Sequence, residues 1–392
     1  MKQAVIVACC RSAVGKAPRG YFKDTRPENI AARVLQDTLA RAGNFDASLV
    51  EDLMLGCSFP EAEQGFNLAR SVALLSGLPE SVPGQTINRF CSSGLQSIAT
   101  AAYSIMVGQN EVLLAGGVET MSMISMTGTI FKPNPDLMAL NPGTYISMGI
   151  TAENVAEKYN LSRTELDEFA LHSHEKAARA RREGKFTDEI VPVLGDHAVA
   201  QADGSWTVEH KPLLQDEGIR EGLTMEALSK LKPVFKKDGV VTAGNSSQTS
   251  DGAGCVLIMS DERAKSLGLK PLAAFRSFAV TGCSPAYMGL GPIAAIPKAL
   301  KLAGLTQSDI ELIEINEAFA SQAVACIHEL GLNPEIVNVN GGAIAMGHPL
   351  GATGSILTVK LLSELRRRGG RYGMVTMCIG GGMGAAGIYE LL

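Results

Sequence analysis

The chain has 392 residues, 46% of them hydrophobic and 19% charged, with a formal net charge of −5. That length can bury a large core and exceeds one ordinary domain, so two or three units are expected. The mild acidity gives no broad basic field, so no nucleic-acid partner is expected.

Eight cysteines stand at positions 9, 10, 57, 91, 255, 283, 326 and 378. None forms a Cys-x-x-Cys pair and none joins histidines at zinc-finger spacing, so no metal site is expected. Cys9 and Cys10 are neighbours in an extended run, where side chains alternate faces and cannot easily chelate one ion. Dispersed cysteines in mostly apolar surroundings indicate a reduced intracellular protein. The sequence carries no leader-like apolar core with a cleavage site and no apolar stretch of about twenty residues. The expectation is a soluble, cytoplasmic protein with no membrane partner. A matrix protein stripped of its transit peptide would read the same.

In chain order, a strand-like run from Ala4 to Ala8 comes first. A helical stretch from Val34 stops at Gly43 and leads through an acidic connection into the strand Val50–Gly56. Cys91 to Gly108 reads as a helix with apolar residues at Leu95, Ile98, Ala99, Ala102, Ile105 and Met106. The strand Val112–Ala115 follows. The middle has a different texture: Lys132-Pro133-Asn134-Pro135, a polar helix from Arg163 to Gly184, and a Gly/Asn/Ser-rich stretch at 244–252. The basic run Arg179-Ala180-Arg181-Arg182 on that helix reads as a solvated face. Beyond it, Ile296–Gly304 and Ile310–Asn316 repeat the helix, glycine stop and strand. Gly351–Arg368 and Met374–Cys378 repeat the later helix and strand. The copies lie about 260 residues apart, which indicates a duplicated α/β unit. Each half is expected to wind around a mostly parallel sheet. The expected division is a first half over 1–119, an inserted domain over 120–270 folding across the site, and a second half over 271–392.

Three segments carry chemistry. Cys91 opens its helix among small residues. There the helix dipole favours thiolate and free N–H groups can hold an oxyanion. A buried structural cysteine is the alternative. Of six histidines, only His348 lies in a glycine-rich turn, presented ahead of a helix, where imidazole can serve as base for a thiol. A hydrogen-bonded loop histidine is the alternative, and surface placement is expected for His172, His174, His197, His210 and His328. Cys378 ends a strand before Gly380-Gly381-Gly382, where a second thiol can move a proton to or from carbon and the glycines can offer an N–H donor. A packed small hydrophobe is the alternative. The glycine run lacks the lysine and serine of a phosphate loop, and no G-x-G-x-x-G joins an early strand to a helix. Asn316 closes a strand, where its amide can hold a water or a carbonyl oxygen, or merely form a turn. A thiol, an imidazole and a second thiol, each set in glycine, are the parts of a covalent acyl-transfer site. We expect residues 91, 348 and 378 to share one pocket.

Over essentially its whole length the chain resembles the thiolase family. The resemblance rests on Asn88–Ser97, Asn316-Glu317-Ala318-Phe319, Gly341–Gly354 and Cys378–Gly384, with Met148–Asn154 and Ala243–Gln248 in support. It is most similar to the degradative branch, the 3-ketoacyl-CoA thiolases of fatty-acid β-oxidation. The resemblance implies a duplicated α/β thiolase fold, a five-layered αβαβα core with an inserted loop domain. It implies Cys91 as the acyl-accepting nucleophile and His348 as the acceptor of its proton. His348, with a water held by Asn316, would stabilise the thioester oxygen. Cys378 would be the acid/base at carbon, and the N–H groups of Cys91 and Gly380 an oxyanion hole. Coenzyme A and acyl-CoA enter as substrates, with no permanently bound cofactor. Arg220, Phe235, Ala243 and Ser247 would contact the adenine or pantetheine portions, with Met148 and Phe319 near the reacting end. A homodimer or homotetramer is implied, and a β-oxidation partner subunit is left open. The rival readings are an acetyl-CoA acetyltransferase making acetoacetyl-CoA and a non-catalytic lipid carrier on the same fold. Two positions depart from the family pattern. Ser147 stands where acetoacetyl-specific relatives carry histidine, which argues against a short-chain-only enzyme. Cys9-Cys10-Arg11-Ser12 replaces the usual small residue, Arg and Thr.

Overall fold

The computed structural model describes residues 2–43 and 45–392. β1 (Ala4–Ser12) is buried along nearly its whole length, as a strand covered on both faces must be. β2 (Gly15–Lys16) and α1 (Pro27–Arg41) follow, then β3 (Asp52–Gly56). Pro27 opens α1 where its missing N–H breaks no helical bond. α2 (Leu68–Leu75), β4 (Gly84–Ile87), α3 (Ser93–Met106) and β5 (Val112–Thr120) continue the chain. Its middle carries α4 (Pro135–Leu140), α5 (Met148–Lys158), α6 (Arg163–Arg182), β6 (Ile190–Val191), the ribbon β7 (Val193–Ala200) with β8 (Trp206–Leu213), and α7 (Met225–Ser229). β9 (Ser250–Ser260) then returns to the main sheet. Last come α8 (Asp261–Ser266), β10 (Ala273–Gly282), α9 (Gly291–Ala303), β11 (Leu312–Ile315), α10 (Ala320–Leu330), α11 (Ala343–Met346), α12 (Leu350–Arg368), β12 (Tyr372–Ile379) and β13 (Met383–Leu391).

The main sheet runs β11-β12-β13-β10-β1-β9-β5-β3-β4. It contains the same order twice. β3-β5-β9-β1 corresponds strand for strand to β11-β12-β13-β10, with β2, β4 and β6 as additions to the first set. The two sets join where β1 and β10 pair antiparallel at Val5–Ala274 and Ile6–Ala273. Alternating residues then build separate layers. Val112 and Leu114 of β5 face α1, whereas Leu113 and Ala115 face α3 and α12. Val375 and Met377 of β12 face those same central helices, and Met374 faces α9. The result is α1, sheet, α3 with α12, sheet, α9: the five layers expected.

Strand direction differs from the expectation. Among the described residues, only β3–β4, β3–β5, β11–β12 and the short β1–β6 contact are parallel strand pairs in the main sheet. β5–β9, β1–β9, β1–β10, β10–β13 and β12–β13 are antiparallel. The reason is local. Gly380-Gly381-Gly382 turns β12 straight back into β13, with Gly381 and Gly382 at φ of 80° and 85°, and a tight turn can join only antiparallel strands. β9 holds the equivalent place in the first half. Among the described residues no helix is long and apolar enough to cross a membrane.

Candidate active site

The site begins with a close helix crossing. A Cβ on Gly354 of α12 would lie 2.3 Å from the Leu95 nitrogen, and one on Gly94 of α3 would lie 2.8 Å from the Gly351 oxygen. Glycine lets the two backbones touch, which sets the N-termini of α3 and α12 side by side. Cys91 sits in a 3-10 turn, Phe90–Ser92, just ahead of α3. His348 lies two residues ahead of α12. β12 ends beside them. A Cβ on Gly380 would come 3.9 Å from the Phe90 ring and 3.7 Å from Met148 Sδ. Asn316 follows β11 and donates its backbone N–H to the Thr376 oxygen at 2.9 Å.

Cys91 as a residue is only partly buried. Burial among neighbouring protein pushes its thiol up to about 11, opposed by the backbone N–H groups of Gly380 and of Cys91 itself, with Glu119 raising it further. Desolvation is the largest influence on Cys91 and favours the neutral thiol, against the thiolate expected at a helix start. Cys378 is fully buried and also held well above the ordinary thiol range, by burial first and then by Cys91. It packs with Ala318, Phe319 and Met288, with Met148 at the edge.

His348 is buried, and burial pulls it down to about 4, so its imidazole is neutral at neutral pH. Asn316 Nδ2 donates to His348 Nε2 at 3.3 Å. The ring proton then resides on Nδ1 and is donated to Thr353 Oγ1 at 2.6 Å. Asn316 Oδ1 is buried, with no hydrogen-bond partner among the described residues. The His348 backbone N–H donates to the Gln248 oxygen at 3.0 Å, which fixes the turn from the Gly/Asn/Ser-rich side.

The other predicted positions fall into a patch and an outlier. The Phe235 and Phe319 rings meet edge to face at 6.1 Å. Gly149 allows this, since a Cβ there would enter the Phe235 ring at 2.2 Å. Met148 opens α5 beside that pair, capped by Ser147, whose Oγ accepts the Ile150 N–H. Ser247 donates its N–H to the Ala318 oxygen at 3.0 Å, and Ser246 bridges to Phe319. Ala243 is exposed, next to the Pro233–Thr242 bridge that carries Phe235. Arg220 stands further out, exposed, lining a groove with Leu171, His174 and Arg182. It connects inward through Gln248, whose Nε2 donates to the Gly218 oxygen at 3.1 Å. Among the described residues no group of three or more His, Cys, Asp or Glu could hold a metal ion.

His174 corrects its expected surface placement. It lies on the inner face of α6, 2% exposed, and Nδ1 accepts the Arg220 N–H at 3.1 Å. Sequence reading also missed Thr353, Gln248 and the buried Glu119. Only Glu119 left a signal, a lone carboxylate in the apolar run Val112–Thr120.

Comparison with known proteins bears on the whole chain. Residues 4–262 match the thiolase N-terminal domain and residues 269–391 the thiolase C-terminal domain. A 3-ketoacyl-CoA thiolase of Bacillus subtilis (strain 168) is 54% identical, covering 100% of both chains. Two crystal structures share the fold. Human mitochondrial 3-ketoacyl-CoA thiolase superposes with a TM-score of 0.89 at 39% identity, covering 100% of this chain and 99% of that one. Bacillus anthracis acetyl-CoA acetyltransferase superposes with a TM-score of 0.88 at 40% identity, with the same coverage. Matched end to end in sequence and in backbone, the chain belongs to the thiolase family.

Proposed function

We propose that the chain cleaves 3-ketoacyl-CoA with CoA, releasing acetyl-CoA and a shortened acyl-CoA, the thiolytic step of fatty-acid β-oxidation. The observation that carries this reading is the setting of Cys91. Its thiol faces two backbone N–H groups, its own and that of Gly380, and it lies near enough to a second thiol, Cys378, to disfavour ionisation of that second thiol.

The chemistry follows from those groups. Cys91 gives its proton to neutral His348 Nε2 and attacks the C3 carbonyl. The backbone N–H groups of Cys91 and Gly380 hold an oxyanion. The C2–C3 bond breaks, leaving an acyl group on Cys91 and the enolate of acetyl-CoA. Cys378, a protonated thiol, donates its proton to C2. A water accepted by Asn316 Oδ1, with His348, donates to the thioester oxygen. The incoming CoA thiol gives its proton to the Cys378 thiolate and attacks the thioester, and the departing Cys91 sulfur recovers its proton from His348, so two half-reactions and a ping-pong course result. Arg220, Phe235, Ala243 and Ser247 contact the adenine or pantetheine portions of CoA, with Met148 and Phe319 near the reacting end.

The first test is mass spectrometry of enzyme quenched with a 3-ketoacyl-CoA. An acyl group on Cys91 is expected; full turnover by Cys91→Ser would overturn the reading. In Cys378→Ser, exchange of the acetyl-CoA methyl protons should suffer more than acylation of Cys91. Equal loss of both would remove Cys378 from the proton step.

The likeness to an acetyl-CoA acetyltransferase favours one second reading, the synthesis of acetoacetyl-CoA. Thiolysis rate against chain length, from acetoacetyl-CoA upward, separates the two. We also propose the division 1–119, 120–270 and 271–392, with β9 rejoining the first half's sheet. A homodimer or homotetramer is supported by the edge strand β4, beside which Leu74 and Leu75 of α2 are exposed. The cytoplasm is proposed on the eight free cysteines.

A further inference from the structure

Glu119, the penultimate residue of β5, is 1% exposed, and its hydrogen-bond partners among the described residues include four N–H donors and no cation. Oε2 accepts from Ser58 N at 2.7 Å and from Gly351 N at 2.8 Å. Oε1 accepts from Gln64 Nε2 at 2.7 Å and from Phe59 N at 3.3 Å. The Cys57 thiol lies 3.6 Å from Oε1.

Each partner leads to a reacting group. Gly351 N belongs to the first turn of α12, whose N-cap Pro349 offers no side-chain cap. The carboxylate supplies that cap from another element, at the positive end of the helix, three residues after His348. The approach is so close that a Cβ on Gly351 would sit 2.7 Å from Glu119 Oε2 and 2.8 Å from Ser58 N. On the other side, the Ser58 oxygen accepts Asn88 Nδ2 at 3.0 Å, and Asn88 Oδ1 accepts the Phe90 N–H at 2.9 Å. That second path ends one residue before Cys91, at a phenylalanine held at φ 44°, a costly conformation for a bulky residue that its neighbours must enforce. One buried carboxylate thus anchors both turns that present the nucleophile and the base.

We propose that Glu119 is a positioning residue that sets the separation between the Cys91 turn and the His348 turn. The proposal rests on the thiolase reading of the site. Its negative charge also opposes ionisation of Cys91 in the resting enzyme.

The test uses the full-length enzyme and its Glu119→Gln, Glu119→Asp and Gln64→Met variants. In Glu119→Gln, kcat for thiolysis should fall about 10- to 100-fold with KM for CoA within about twofold, as misplacement of reacting groups requires. Alkylation of Cys91 by iodoacetamide should move to lower pH in the same variant, because a charge is removed. Glu119→Asp keeps the charge, so its alkylation profile should stay at the wild-type pH while kcat remains low. A merely structural role would not separate these two variants. If Glu119→Gln does not fold, Gln64→Met removes one donor and should lower kcat about 3- to 10-fold without changing KM. Folded variants with wild-type kcat and an unmoved alkylation profile would overturn the proposal. A wild-type enzyme with no thiolysis would instead overturn the reading beneath it.

Discussion

Thr353 and His348 are five residues apart across the start of α12, and the hydroxyl of one lies 2.6 Å from Nδ1 of the other. With Asn316 donating to Nε2, this bond holds the ring proton on Nδ1 and leaves Nε2 unprotonated, so that taking up a proton there displaces the Asn316 contact. Thr353→Val keeps the shape and removes the acceptor, so a buried N–H loses its partner at a cost of about 1–3 kcal/mol. We expect kcat to fall about 10- to 100-fold while the variant stays folded. Steady-state thiolysis with matched circular dichroism checks this. Unchanged kcat would mean that the tautomer is set elsewhere.

The raised Cys91 thiol makes a second prediction. With half-ionisation near 11, only a small fraction is thiolate at neutral pH. The rate of iodoacetamide alkylation at Cys91 should therefore rise about tenfold per unit between pH 7 and 9. Peptide mapping isolates this cysteine from the other seven. A plateau below pH 8 would show a resting thiolate and return the helix dipole to the leading role.

Cys91, His348 and Cys378 were legible because each is a reactive residue set among glycines, and glycine at such points marks close backbone approach. α12 was legible as Gly351–Arg368, the repeat of the helix that follows Cys91, and runs Leu350–Arg368. Strand direction was not, because an apolar run reads the same either way along a sheet. Gly380–Gly382 suggested an N–H donor, yet not the turn that makes β12 and β13 antiparallel. Ionisation was misjudged for a related reason. A helix end is visible in sequence, whereas the desolvation around Cys91 is supplied by distant segments. Glu119 stood out as a lone carboxylate in an apolar run, but its role did not, because its donor Gly351 stands 232 residues away.

His174 links protonation to stability. Burial pulls it down to about 4 from 6.5. Above pH 6.5 both folded and unfolded chains carry it neutral. As pH falls toward 4 the unfolded chain takes a proton that the folded chain refuses, so stability is lost across that window at up to about 1.4 kcal/mol per unit. His174→Gln keeps an acceptor for the Arg220 N–H and has no such titration. Measured by urea unfolding, the variant should gain about 2–3 kcal/mol relative to wild type between pH 7.5 and 4.5. A difference that does not change with pH would place His174 among ordinary histidines.

The helix crossing makes the last prediction. Gly354→Ala puts a methyl group 2.3 Å from the Leu95 nitrogen and 2.6 Å from its Cβ, and the first of these is backbone that cannot swing aside. The two central helices must separate, which costs about 1–3 kcal/mol or more in a packed core. Because α3 and α12 carry the Cys91 and His348 turns, the same shift pulls nucleophile from base. Gly108→Ala serves as the control: its Cβ meets nothing within 4 Å, although φ is 82° there and some backbone strain remains. We expect Gly354→Ala to lower the thermal midpoint by several degrees and to lose more of its kcat than Gly108→Ala does. Gly108→Ala should lose stability while keeping kcat near wild type. If both variants lost kcat in proportion to stability, the crossing would be a packing feature with no hold on the chemistry.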